Sequence, residues 1–217
     1  MDNASPVLLD PQHDGALLYY DIEIAKAIPD KKTPIEPGIE YCAGWGDHAN
    51  MGIACICAYD AGEGRNRVFT FSTFGQFVEL ASRRRVVGFN SLRFDDIVCG
   101  FNNLLLVTTY DLLREMWRAA GLNPDKCGGD KKGYGLDATA KANGLTGKTG
   151  YGGTDPIDWQ RGMYGSVIDY CLDDVRLLRR LVEGVYMRNG QINHPKGPEH
   201  GSLWLDISPI VERAKCS

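Results

Sequence analysis

Three short acidic motifs hold the residues best suited to chemistry. In Asp21-Ile22-Glu23, two carboxylates stand two residues apart inside an apolar run. Residues two apart on a strand share a face, so both would point to the same place. The apolar neighbours predict that this face meets a largely buried site edge. Two like charges there repel, and burying them is costly unless a cation neutralises them. Hard oxygen ligands favour Mg2+ or Mn2+ in that role. Taken alone, the pair is better read as two exposed strand residues in salt bridges. The second motif, Gly88-Phe89-Asn90-Ser91-Leu92-Arg93-Phe94-Asp95, combines a strand end, a short loop and an aspartate that opens a helix. An aspartate there is ordinary helix capping, yet loops at strand ends also carry the functional residues of α/β folds. In the third, Tyr170-Cys171-Leu172-Asp173-Asp174, Tyr170 and Asp174 are four apart and stack on one helix face. Asp173 points elsewhere, toward solvent.

The elements that must position these motifs follow from the hydrophobic pattern. Residues 16–24 predict a strand, Met51–Tyr59 a second, and Arg67–Phe71 a third that forms a hairpin with it across the Gly62–Gly64 turn. Thr73 is placed to cap a helix through about Arg83, and Val86–Phe89 predicts a short buried strand. Helices follow over Asp95 to about Asn103 and Asp111–Ala120, the latter ended by Gly121. Residues 123–155 are rich in Gly and Lys, with one short helical segment at Leu136–Ala142. The strongest helix spans Met163–Met187, where Ile168, Cys171, Leu172, Val175, Leu178 and Val182 recur at steps of three and four. Extended segments at Gln191–His194 and Ser202–Ile207 predict a terminal hairpin. Strands lead and helices follow, without repeats or a linker, so the expectation is an N-terminal arm over 1–15 and a single α/β domain over 16–217.

Composition excludes other classes. The chain has 217 residues, 43% hydrophobic and 24% charged, with a net charge of −4. It is too long for a disulfide mini-scaffold and too polar for a membrane protein, and bulk positive charge cannot be how it meets nucleic acid. Metal ions offsetting carboxylates would still permit local binding. The seven cysteines include no C-x-x-C pair. Cys55 and Cys57 read as small buried hydrophobes in a reducing compartment rather than as zinc ligands. The four histidines make no cluster at metal-ligand spacing. The N-terminus lacks a signal-peptide pattern and no apolar stretch is long enough to span a bilayer, so the expected location is cytoplasmic.

Together, D-x-E on the first strand, N-x-x-x-F-D after a later strand and Y-x-x-x-D on a late helix resemble the ordered signature of DEDDy-type 3′–5′ exonucleases. This group lies in the ribonuclease H-like superfamily and includes the proofreading domains of family B DNA polymerases and free-standing phage and bacterial relatives. The resemblance covers residues 16–187, and Tyr110-Asp111-Leu112-Leu113 and Gly135-Leu136-Asp137-Ala138 look like its connecting segments. It implies a ribonuclease H-like mixed β-sheet flanked by helices. It also implies that Asp21, Glu23, Asp95 and Asp174 bind two Mg2+ or Mn2+ ions and that Tyr170 orients the attacking water. Phosphodiester hydrolysis needs a hydroxide, neutralisation of the transition state and a stabilised leaving oxygen, which two metal ions supply. The doublets Asp95-Asp96 and Asp173-Asp174 leave a one-residue shift open. The implied activity is 3′–5′ removal of nucleoside 5′-monophosphates from single-stranded DNA. An exoribonuclease, a structure-selective endonuclease and a non-catalytic adaptor with the same fold are the alternatives.

Other residues fill supporting roles. Asn90 is expected beside the terminal nucleotide, and Phe94 in the core or as a base-stacking wedge. Ala142–Thr149 fits a relaxed phosphate-loop pattern, but a helical segment precedes it where a buried strand is required, so ATP is not expected. The same stretch suits a basic loop in which Lys148 touches a phosphate and Tyr151 stacks on a base, or a solvated surface loop. Arg83-Arg84-Arg85 reads as structural and Trp117 as core. The expected partners are single-stranded nucleic acid and a separate polymerase, helicase or other replication or repair protein.

Overall fold

The computed structural model describes residues 15–30, 34–126, 130–147 and 154–211. In chain order its elements are β1 (Leu17–Ile24), α1 (His48–Met51), β2 (Ile53–Asp60), β3 (Arg65–Phe69), α2 (Phe74–Ala81), β4 (Arg85–Gly88), α3 (Asp95–Phe101), β5 (Tyr110–Asp111), α4 (Leu112–Ala119), α5 (Leu136–Ala142), α6 (Asp155–Gln160), α7 (Tyr164–Met187), β6 (Gln191–Asn193) and β7 (Ser202–Trp204). The first five strands form one mixed sheet in the order β3-β2-β1-β4-β5, and β6 and β7 form a C-terminal hairpin. This is the expected α/β architecture. Among the described residues, no helix is long and apolar enough to cross a membrane.

β1 is central, antiparallel to β2 and parallel to β4. Both its faces are covered, which its run of apolar and aromatic residues reflects. Leu18, Tyr20, Ile22 and Ile24 join a core with α2 and α3 residues such as Phe77 and Val98. Tyr19, on the alternate face, joins a second core built largely on α7, with Val175, Leu178 and Val182. The sheet thus separates two layers, and the face carrying Tyr19 continues to Asp21 and Glu23. Because β4 runs parallel to β1, the loop leaving β4 opens at the edge where Asp21 and Glu23 lie. Trp117 is buried, as expected. In the arginine run, Arg84 makes a buried pair with Asp60 (Nε–Oδ1 2.9 Å), and Arg85 donates to the Val211 carbonyl at 3.1 Å.

Several boundaries differ from the sequence pattern. β3 ends at Phe69 because the tight turn pairs Asp60 directly with Arg65, shifting the strand two residues earlier. Phe71 therefore lies outside it, 90% exposed. The two-residue β5 is set by pairing with β4, a tertiary effect without a local signal. Met51, expected to open the second strand, instead ends the short helix α1, and β2 begins at Ile53. The short helix α6 starts at the end of the Gly- and Lys-rich stretch, which masks its pattern.

Gly88 ends β4 where the chain must pass close to its own loop. A Cβ there would overlap the Ser91 side chain and press on the Tyr20 ring. Gly100, in α3, has open space at the same position. Gly88→Ala is therefore expected to cost roughly 1–3 kcal/mol through overpacking. Gly100→Ala should gain up to about 1 kcal/mol from helix propensity. Urea denaturation of both variants checks this, and equal effects would refute the packing argument.

Candidate active site

Antiparallel register sets Asp21 opposite Cys57 and Glu23 opposite Cys55. The register slips between Glu23 and Ile24, so regular pairing ends just past the two carboxylates. α7 crosses over this face and brings Cys171 and Asp174 to it. Ligand-capable atoms of Asp21, Glu23 and Cys171 all lie within 4.8 Å of one another. The Cys171 thiol donates to Asp21, 3.5 Å from its carbonyl oxygen and 3.6 Å from Oδ2. Asp21 is half-buried, while Glu23 and Asp174 are buried. Burial, followed by the charges of Asp21, Asp155 and Asp174, pushes the Glu23 carboxyl well above the usual range. Tyr170 is half-buried one turn before Asp174 on α7. Asp173 instead pairs with Arg176 at 2.5 Å on the helix surface.

The β4–α3 loop is built around Asp111, the N-cap of α4. Its carboxylate accepts the backbone N–H of Asn90 at 2.9 Å, of Leu92 at 3.2 Å and of Arg114 at 3.2 Å. These bonds hold Asn90 in a left-handed conformation (φ 66°), one that asparagine tolerates well. The loop then delivers Asp95, 5% exposed, as the first residue of α3. Burial and the charges of Asp96 and Asp111 push its carboxyl up to about 7. Asp96 is committed elsewhere. It accepts from the Tyr20 hydroxyl, from Thr108 N–H at 2.9 Å and from the Thr108 hydroxyl at 2.8 Å.

The structure therefore brings Asp21, Glu23 and Asp174 to one face, with Tyr170 one turn from Asp174 on α7, whereas Asp95 opens α3 among the charges of Asp96 and Asp111. Asn90 contributes its backbone to the β4–α3 loop. The half-buried ring of Phe94 packs on the α2–α3 core. It also lies 6.2 Å from the ring of Trp45 and 5.6 Å from that of His48. Lys148 and Tyr151 lie outside the described residues.

Three features escaped the sequence reading. Asp155 is a further buried carboxylate, the first residue of α6, and its charge reaches Glu23. Its signal was the helix-start pattern Thr154-Asp155-Pro156, obscured by the glycine-rich stretch before it. Trp45, 73% exposed, covers Phe94 from a segment with no periodicity to mark it. Cys171 joins Cys55 and Cys57, with the three sulfurs within 4.8 Å of one another.

The donor set suits a hard divalent cation. Asp21, Glu23, Asp155 and Asp174 supply carboxylate oxygens whose mutual repulsion a cation would relieve. No protein-family model matches the chain, and no curated protein does. Among solved structures, it is similar to the family B DNA polymerase from the hyperthermophilic archaeon Pyrobaculum calidifontis. The TM-score is 0.53 at 17% sequence identity, over 79% of this chain and 24% of the polymerase. The likeness is one of fold, and it covers about a quarter of that protein.

The raised Asp95 carboxyl sets a pH dependence. In metal-free protein, the folded state holds a proton that the unfolded state releases near 3.8, the ordinary aspartate value. Its contribution is thus fully present below about pH 4 and lost as pH rises through about 7. Asp95→Asn should gain on wild type over that window, by on the order of 3 kcal/mol. Denaturant unfolding in chelator at several pH values measures the difference, and a constant offset between the two proteins would contradict it.

Proposed function

We propose that the chain is a metal-dependent 3′–5′ exonuclease that hydrolyses single-stranded DNA from its 3′ end and releases nucleoside 5′-monophosphates. What carries the reading is the convergence of Asp21 and Glu23 from β1 with Asp174 from α7 in one buried acidic group. The polymerase fold likeness, and the order of motifs resembling DEDDy-type exonucleases, support it. We further propose residues 16–217 as one exonuclease domain after an N-terminal arm, acting in the cytoplasm beside a separate polymerase, helicase or repair protein.

In this reading Asp21, Glu23, Asp95 and Asp174 hold two Mg2+ or Mn2+ ions, with Asp155 adding negative charge behind Glu23. Such ions, when bound, neutralise the phosphate and acidify a water molecule. Each residue then has a separate task. The Tyr170 phenol orients the attacking water. Asn90 sits at the terminal nucleotide, held by Asp111. Trp45 and Phe94 stack on the last bases, since base–aromatic stacking tolerates any sequence. Lys148 and Tyr151 contact the strand behind the terminus. DNA is favoured over RNA because the motifs look most like proofreading domains, and no feature reads the 2′-hydroxyl.

Digestion of 5′-labelled single-stranded DNA and RNA of equal sequence tests the proposal. The expected result is a ladder of single-nucleotide steps in Mg2+ or Mn2+, absent in EDTA and in an Asp21→Ala, Asp174→Ala double variant. Tyr170→Phe should slow the reaction on the order of 100-fold while metal binding persists. Intact substrates in both metals, with nucleic acid still bound, would replace the enzyme with an adaptor. Internal cuts without a ladder would indicate an endonuclease.

Trp45→Ala tests the stacking surface separately. Loss of one stacked base is worth about 1–3 kcal/mol, so single-strand binding should weaken roughly 5- to 150-fold with the fold intact. Fluorescence anisotropy with a labelled oligonucleotide reads this, and unchanged affinity would remove Trp45 from the interface.

A further inference from the structure

The face that carries Asp21 and Glu23 carries a second ligand set. Cys57 and Cys55 are the direct cross-strand partners of Asp21 and Glu23, and Cys171 descends on them from α7. All three cysteines are fully buried and none is in a disulfide. Their sulfurs lie within 4.8 Å of one another. The Cys171 sulfur is also 3.6 Å from Asp21 Oδ2.

We propose that Cys55, Cys57 and Cys171 form a binding site for a thiophilic divalent ion, Zn2+ by its chemistry, with the Asp21 carboxylate as the fourth ligand. Zn–S bonds of about 2.3 Å and Zn–O bonds of about 2.1 Å at tetrahedral angles put sulfurs about 3.8 Å apart, and sulfur and oxygen about 3.6 Å apart. The Cys171–Asp21 separation of 3.6 Å already matches. The sulfurs need close by no more than about 1 Å, within reach of side-chain rotation. Soft sulfur ligands select this ion over Mg2+ or Mn2+, which the neighbouring oxygens favour.

Packing alone explains each cysteine singly, since a thiol is a small apolar group. It does not explain why the alternation of one strand and a helix 114 residues further on deliver three thiols to one point beside a carboxylate of the neighbouring strand. Without an ion, the thiols satisfy themselves locally. Cys171 donates to Asp21, and Cys57 to the Ile168 carbonyl at 3.8 Å. On binding, the three thiols lose their protons to solvent and the sulfurs become thiolate ligands, so binding tightens as pH rises. Half-buried Asp21 forms the rim through which the ion arrives. Because Asp21 serves both sets, Zn2+ here withdraws it from a hard cation. The site itself does not depend on the nuclease reading.

The experiment titrates Co2+, a spectroscopic stand-in for Zn2+, into reduced, chelator-stripped full chain. One equivalent should produce sulfur-to-cobalt charge transfer and the intense visible bands of a tetrahedral site, both erased by stoichiometric Zn2+. Loss of a residue that merely supports a ligand typically costs about 10–100-fold in affinity, so loss of a direct ligand should cost at least that. Cys57→Ala and, separately, Cys171→Ala should show that loss with weaker charge transfer. Asp21→Asn should weaken binding but keep the three-sulfur intensity. Cys99→Ala, a buried cysteine in the opposite core, should change nothing. A wild-type protein without the charge-transfer band would overturn the proposal, whether or not any variant folds. So would a band that survives unchanged in both Cys57→Ala and Cys171→Ala.

Discussion

Like charges buried on one face of a sheet constrain this molecule more than any other feature. Glu23 and Asp174 are buried and Asp21 half-buried, and burial together with the charges of Asp21, Asp155 and Asp174 raises the Glu23 carboxyl. Ionised carboxylates in that setting repel each other at short range in a medium poorer than water. A bound cation is one way to relieve that repulsion. A scaffold that only needed to fold would do better with apolar residues of similar volume at those positions. The arrangement is therefore best understood as stability given up locally for a binding task, with the surrounding cores supplying the difference.

The rest of the fold serves to keep those groups together. β1 is clamped between two cores, so its alternation cannot slip without moving Leu18, Tyr20 and Ile22 out of one and Tyr19 out of the other. α7 is anchored along its length by Val167, Val175, Leu178 and Val182, which fixes Asp174 and Cys171 over the sheet. On the other side, Asp111 gathers three backbone N–H groups and so fixes the loop leading to Asp95. Gly88 gives that loop room to turn. In each case packing or hydrogen bonding some distance away determines where one of these carboxylates sits.

Much of this was legible in the sequence because it is periodic. Alternation put Asp21 and Glu23 on one face, and steps of three and four located the long helix almost to the residue. The choice within each acidic doublet needed three dimensions. Asp96 is held by Tyr20 and Thr108, and Asp173 by Arg176. Asp155 opens the six-residue α6, too short to show a period, and Trp45 sits in an irregular segment that has none. The thiol group was read as packing because two of its members share a strand while the third comes from α7. Only cross-strand register and helix docking unite them.

An anomalous-difference map from a crystal saturated with Mn2+ tests the central claim most directly, that the buried acidic group exists to hold a hard cation. The account predicts a strong peak bounded by the carboxylates of Asp21 and Glu23, lost in Asp21→Asn crystals of the same form. A saturated wild-type crystal with no peak there, its carboxyls instead sharing protons, would contradict it.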